Sequence, residues 1–252
     1  MAISRKIHYV WLGDKPLSER DAGFVEGWRE LNPGFEIRCW TERDIVLAKY
    51  PLVAKALRER RWALASDIIR MHALYTEGGI YMDTDVELLK PLAPFLKYDG
   101  FAGWESQYWF TTAVFGAKKG SPWIGKVLKR YELADERITT DTFLKTVHSP
   151  SVYAQDVYGV VLDGRTREYA DGKFATFARE YFSPKHYMTG EMRVTGKTVV
   201  VHHYASTWYT KSEKIKNDLS RAAHKMVGRK GYEKLEKTFA DKLEKEIRKE
   251  LS

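Results

Sequence analysis

Strand-like and helix-like segments alternate through the first 130 residues of the chain. That alternation restricts the fold to an α/β sheet with helices on both faces. KIHYVWL (6–12) reads as a buried strand closed by Gly13. Residues 18–31 read as a helix with Ser18 at its N-cap, and Asn32-Pro33-Gly34 turns the chain into a second strand over 35–40. Thr41 caps a short helix, and Pro51 opens another that runs to about Arg61. In 62–77, Leu64, Ile68, Met71 and Tyr75 recur at helical spacing, and Gly78-Gly79 ends that helix. IYMDTDVEL (80–88) returns to a strand pattern. Further strands are expected near 100–104, 112–116 and 197–204, with helices over 121–131, 139–147 and 151–158. Residues 160–195 show no clear period, so no element is placed there.

The 252 residues suffice for one large domain, and 44% hydrophobic with 30% charged residues suits a soluble globule. A single cysteine, Cys39, excludes a disulfide framework and a cysteine-rich zinc site. MAISRKIHYVWLG lacks the apolar stretch of a signal peptide, and nowhere do 18 apolar residues run together. The accompanying expectation is a cytoplasmic location. The net charge of +8 suggests an anionic partner, but it is unevenly placed. Residues 209–252 hold 13 Lys/Arg and 8 Asp/Glu, so +5 of the +8 lies there and the rest is nearly balanced. The expected division is a body over 1–208 and a basic amphipathic helical tail over 209–252. In the tail, Tyr232, Leu235, Phe239, Leu243, Ile247 and Leu251 form a narrow apolar stripe. The stripe reads as a docking face for the body or another subunit. Its alternative is peripheral contact with the inner face of a membrane.

Four groups of residues carry chemistry. A bare D-x-D is expected about once by chance in a chain of this composition. Asp83-Thr84-Asp85 gains meaning from its place at the end of a strand that leaves a Gly-Gly turn. Read as one strand, i and i+2 share a face, so the two carboxylates repel unless a cation lies between them. Oxygen ligands of this kind suit Mg²⁺ or Mn²⁺. Asp67 and Arg70, at i and i+3 on the central helix, are flanked by apolar residues. They are either buried and paired or facing a polar cleft, where an Arg could hold a pyrophosphate or a sugar hydroxyl. His202 and His203 point to opposite faces of their strand, so only one can join the carboxylates. Trp11 ends the first strand, where ligands of open α/β sheets sit, and Trp208 follows the histidines. Each tryptophan is a stacking surface or simply core. There is no phosphate-binding G-x-x-x-x-G-K-S/T loop, dinucleotide fingerprint or nucleophile elbow.

The order KIHYVWLG, NPGFEIRCW, ASDIIRMHALYTEGGIYMDTDVELLKPL, FGAKKGSP and YFSPKHYMTGEMRVTGKTVVVHHYASTWYTKSEKIK resembles glycosyltransferase family 32. These are D-x-D sugar transferases of the bacterial capsular and polysaccharide type, remotely similar to the catalytic domains of glucosylating toxins. The resemblance covers most of 5–216. It implies a GT-A-like fold, a UDP- or GDP-sugar donor, Mn²⁺ or Mg²⁺, a glycan or lipid-linked glycan acceptor, and retention of anomeric configuration. Carried over by position, Asp67, Arg70, Asp83 and Asp85 form the catalytic set. Asp85 touches the metal, Asp83 the metal or the ribose, and Asp67 and Arg70 grip the donor. Trp11 stacks on the base, His203 rather than His202 completes the metal site, and Trp208 lies near the diphosphate. Two segments depart from the pattern. Ser206-Thr207-Trp208 stands where Gly-Ser-Trp is usual, and Thr111-Thr112 where many relatives carry Asn. No carboxylate nucleophile stands out, which favours same-face attack by the acceptor. The competing readings are a transferase that modifies a protein target and a non-catalytic polyanion binder. The near-neutral body argues against the second.

Overall fold

The computed structural model describes residues 2–133, 140–187, 189–205 and 236–249, with a seven-stranded mixed sheet at its centre. In chain order the elements are β1 (Lys6–Val10), α1 (Glu19–Leu31), β2 (Glu36–Trp40), α2 (Pro51–Arg58), α3 (Trp62–Glu77), β3 (Gly79–Met82) and β4 (Val86–Leu88). There follow β5 (Gly100–Trp104), β6 (Phe110–Ala117), α4 (Pro122–Leu133), α5 (Thr140–Tyr158), β7 (Arg167–Tyr169), β8 (Phe174–Phe177), α6 (Arg179–Phe182) and β9 (Val200–His202). A last helix, α7, spans 236–249. The large sheet runs β2-β1-β3-β6-β5-β8-β7, and β4 pairs with β9 in a separate two-stranded sheet. Strands β2, β1 and β3 are parallel, and β6 is antiparallel to both β3 and β5.

Helices cover both faces, as the alternation predicts. One core cluster joins residues of α2, α3, α4 and α5, and the other joins α1, β4 and the Phe95–Tyr98 segment. Ser18 is the N-cap of α1, its side chain accepting from the Asp21 backbone N–H. The Trp28 indole, fully buried, donates to the Val86 carbonyl at 2.9 Å and so ties α1 to β4.

The Gly-Gly turn has a steric cause. Gly78 and Gly79 adopt φ of 66° and 123°, which other residues resist. A Cβ on Gly78 would lie 2.5 Å from the Lys119 nitrogen, and one on Gly79 would lie 2.8 Å from the Lys6 carbonyl oxygen. Only glycine lets α3 reverse directly into β3 beside β1.

Three details differ from the sequence expectation. The 80–88 segment is not one strand: β3 stops at Met82, Asp83–Asp85 turn, and β4 leaves for the other sheet. The two predicted helices over 139–147 and 151–158 are one helix, α5, with Pro150 inside it. The unassigned 160–195 stretch supplies β7, β8 and α6, elements too short to show a period.

Glu77 closes the outer end of α3. It accepts from Lys6 at 2.9 Å and pairs with Arg38, which also reaches Asp44 at 3.2 Å. Burial raises the Glu77 pKa, but Lys6 and Arg38 outweigh it and hold the carboxyl below its ordinary 4.5. A depressed carboxylate contributes stability above its unfolded pKa and loses it as pH falls through the folded value. Glu77→Gln is therefore expected to cost about 1 kcal/mol at neutral pH, a figure typical of half-exposed ion pairs. The difference from the parent should shrink as pH falls below the ordinary carboxylate range. Urea unfolding at neutral pH and in acid checks this, and an equal deficit in both would contradict it.

The tail helix α7 lies on α5. Ala240, Leu243 and Ile247 are buried in the first core cluster, and Phe239 is edge-on to His148. Lys145–Glu246 pair at 3.6 Å, Gln155 donates to Glu244 at 3.4 Å, and Arg248 pairs with Asp156. Tyr232, Leu235 and Leu251 lie outside the described residues. Leu243→Ala is expected to cost about 2–5 kcal/mol of docking energy. Hydrogen exchange should then show faster exchange confined to 236–249. Unchanged protection there would mean that the leucine does not hold the helix. Among the described residues, no helix is long and apolar enough to cross a membrane.

Candidate active site

The site is built where β3 ends. Parallel pairing of β1 and β3 puts Trp11 and Asp83 beyond the carboxyl ends of adjacent strands, the usual ligand edge of an open α/β sheet. The backbone N–H of Asp83 donates to the Ala113 carbonyl at 2.9 Å, and the Val86 N–H donates to the Asp83 carbonyl at 3.1 Å. Asp83 to Asp85 thus form a tight turn between two sheets. The turn, not the alternation of a strand, brings the two carboxylates to one place.

Behind the turn stands α3. Arg70 is 5% exposed and Asp67 6%. The Arg70 Nη2 lies 2.9 Å from Asp67 and 3.3 Å from Asp83, and Nη1 donates to the Thr112 carbonyl at 2.6 Å. Nη2 also reaches Ser66 Oγ at 3.2 Å. The guanidinium lies 4.5 Å over the Tyr81 ring, and the Tyr81 hydroxyl donates to Asp83 at 2.7 Å. Arg70 thus ties Asp67, Asp83 and the Thr112 backbone together. Burial pushes the Asp67 carboxyl up to about 6, Arg70 opposing the rise and Asp83 adding to it.

The third group is His202. Its Nε2 stands 3.2 Å from Asp85 and 4.0 Å from Asp83. The ligand-capable atoms of Asp83, Asp85 and His202 all lie within 4.8 Å of one another. Burial alone would lower the His202 pKa, but Asp85, Asp83 and Glu105 outweigh it and raise it. Asp85 feels the converse: burial pushes its pKa up, and His202 with the Ala205 N–H, at 2.7 Å, brings it below the ordinary value. Two carboxylates and one imidazole, converging through His202 Nε2, fit a divalent cation of the Mn²⁺ or Mg²⁺ type.

His203 does not join this set, contrary to the sequence expectation. In the β4–β9 ladder His202 stands opposite Val86, and the next residue must face the other way. His203 accordingly bonds Glu87 at 2.9 Å and stacks on Phe24 with centroids 5.1 Å apart. Trp11 is half-buried, its indole N–H given to the Lys15 carbonyl at 2.6 Å. Trp208, with Ser206 and Thr207, lies outside the described residues. Thr112 holds Arg70 through its carbonyl, so the departure at Thr111-Thr112 lies against the site.

Sequence reasoning missed Glu105 and Tyr204. Glu105 follows the fully buried β5 and accepts from the Tyr204 hydroxyl at 3.1 Å. Burial raises its pKa, with His202 opposing. Its signal was available: a carboxylate directly after an all-apolar strand. Tyr204 carried no such signal, because its role depends on a backbone turn.

The mixed sheet, the D-x-D turn at its edge and the helices on both faces define a GT-A glycosyltransferase fold. A solved structure, the PaToxG glycosyltransferase, shares it with a TM-score of 0.51 at 20% identity, covering 61% of this chain and 68% of that one. Residues 18–102 match the family described as glycosyltransferase sugar-binding region containing DXD motif. The inositol phosphoceramide mannosyltransferase 3 of Schizosaccharomyces pombe is 28% identical over 132 residues, 51% of this chain and 37% of that protein. Subversion of eukaryotic traffic protein A of Legionella pneumophila is 27% identical over 111 residues, 33% of this chain and 17% of that protein. The chain therefore spans well under half the length of these curated relatives.

Proposed function

We propose that the chain is a cation-dependent glycosyltransferase that uses a UDP- or GDP-sugar and transfers the sugar with retention to a glycan or lipid-linked glycan. The observation that carries the reading is the convergence of Asp83, Asp85 and His202 at the sheet edge, backed by the Asp67–Arg70 pair. Those three side chains would hold the cation. When bound, it would supply positive charge against the departing nucleoside diphosphate. Arg70 and Tyr81 fix the Asp83 carboxylate, and the Ala205 N–H fixes Asp85, so the set is oriented before a donor arrives. Asp67 keeps Arg70 in place. Trp11 would stack on the base from the neighbouring strand end, and Trp208 would lie near the diphosphate. Residues 1–208 would form the catalytic unit, with α7 as a brace. The name of the yeast relative supports an acceptor built on a glycolipid headgroup.

A panel of UDP- and GDP-sugars with Mn²⁺, scored by thermal shift and donor hydrolysis, tests the reading. One nucleotide series should stabilise and turn over only with the cation present. Equal behaviour with EDTA would end the cation-dependent reading. A second reading, transfer to a protein, draws its support from the Legionella relative's name, which speaks of subverting eukaryotic traffic. Labelled UDP-glucose incubated with a eukaryotic lysate separates the two, since label on a protein band supports only the second.

A further inference from the structure

Tyr204 follows β9 directly and adopts φ of 54°, a left-handed conformation that glycine takes freely and a bulky aromatic residue rarely does. Such strain persists only where surrounding contacts over-determine it. Here the contacts are specific. The ring lies 4.0 Å from the His202 imidazole, centroid to centroid, and the hydroxyl donates to Glu105 Oε1 at 3.1 Å. The Tyr187 ring packs on the Tyr204 ring, with centroids 5.2 Å apart. The same left-handed step turns the chain so that the next N–H, that of Ala205, reaches Asp85 Oδ2 at 2.7 Å. One residue therefore touches or steers two of the three cation-site groups, and its far end is anchored 99 residues earlier in the chain.

We propose that Tyr204, anchored by Glu105, is a positioning residue of the cation site: it holds the His202 ring and the Asp85 carboxylate in the ligand arrangement. The proposal rests on the cation reading given above. Glu105 is not assigned as a ligand, because its Oε1 is engaged by the tyrosine hydroxyl. The geometry explains why tyrosine stands where glycine would be free of strain: glycine would complete the turn but leave His202 without its packing surface. Groups behind metal ligands typically alter metal affinity tenfold to a hundredfold when removed.

The test uses the full chain and the metal alone. Mn²⁺ affinity is measured by electron paramagnetic resonance, and the ligand set by the visible spectrum of the Co²⁺-loaded protein. Tyr204→Ala is expected to weaken Mn²⁺ binding by about ten- to a hundredfold and to change the Co²⁺ bands. Tyr204→Phe keeps the ring and loses only the anchor, so a smaller loss is expected, matched by Glu105→Leu. Glu105→Gln retains an acceptor oxygen and should restore most of the affinity lost in Glu105→Leu. A merely structural role would lower thermal stability and leave the Co²⁺ spectrum of the folded, saturated protein unchanged. Parental affinity and spectrum in both folded Tyr204→Phe and Tyr204→Ala would overturn the proposal. Asp85→Asn separates the two levels. If it binds Mn²⁺ like the parent, the cation reading itself fails. If it does not, while the Tyr204 variants do, only the positioning role fails.

Discussion

Arg70→Ala is expected to destabilise the protein by about 3–5 kcal/mol, the range found when one partner of a buried charge pair is removed. Arg70 is 5% exposed and lies against Asp67 and Asp83, so its loss leaves two carboxylates without the cation that pairs them, while Asp83 keeps the Tyr81 hydroxyl and His202. The deficit should depend on pH in a defined direction. Asp67 already has a folded pKa of about 6, above its ordinary 3.8, because burial dominates. A carboxyl whose pKa is raised on folding binds more protons in the native state, so its contribution to stability falls as pH rises between the two values. Removing Arg70 raises that pKa further. The destabilisation should therefore be largest at neutral pH and smaller near pH 5. Adding Asp67→Asn to Arg70→Ala should recover part of the loss at neutral pH, because the unpaired charge is gone. Urea unfolding of the metal-free protein measures all three. A single variant within about 1 kcal/mol of the parent at pH 7 would mean that Arg70 is solvated rather than buried.

Asp85→Asn is expected to lower Mn²⁺-dependent donor turnover by about a hundredfold or more, equivalent to about 2.7 kcal/mol of transition-state stabilisation. The loss has two sources. An amide supplies a weaker oxygen ligand and no negative charge. It also replaces the His202–Asp85 contact at 3.2 Å, which ties the imidazole to the site. The Ala205 N–H has an acceptor in either case, so the local turn should persist and the variant should fold. Donor hydrolysis and Mn²⁺ titration, read together, check the expectation. Parental turnover at saturating Mn²⁺ would remove Asp85 from the site. His203→Ala is the matching control. It faces Glu87 and Phe24, so Mn²⁺ affinity should change little.

Much of this architecture was legible in the residues. Turn chemistry and periodicity are local properties, and they placed β1, α1, β2, α3 and the Gly78-Gly79 reversal. They failed where an element was too short to show a period, as in β7, β8 and α6, and where they divided in two the continuous helix α5, which carries Pro150 inside it. The candidate site divides in the same way. Asp67, Arg70, Asp83 and Asp85 lie within 19 residues of chain, and their order with the flanking motifs marks them as a set. Glu105 was within reach of the same reasoning, as a charge closing an apolar strand, but nothing local linked it to residues a hundred positions later.

The sequence by itself determined the α/β class, the D-x-D pair, its place after a glycine reversal, and the need for one of two adjacent histidines. The tertiary structure alone decided which histidine. The choice depends on the register of β9 against β4, a pairing across more than a hundred residues, and a shift by one position would have turned His203 inward instead. It alone decided that Arg70 is buried and paired with Asp67 and Asp83, because burial is a property of packing. It alone decided that Leu243 and Ile247 of the tail stripe pack with α5, because an amphipathic face records only that it needs a partner and not which one.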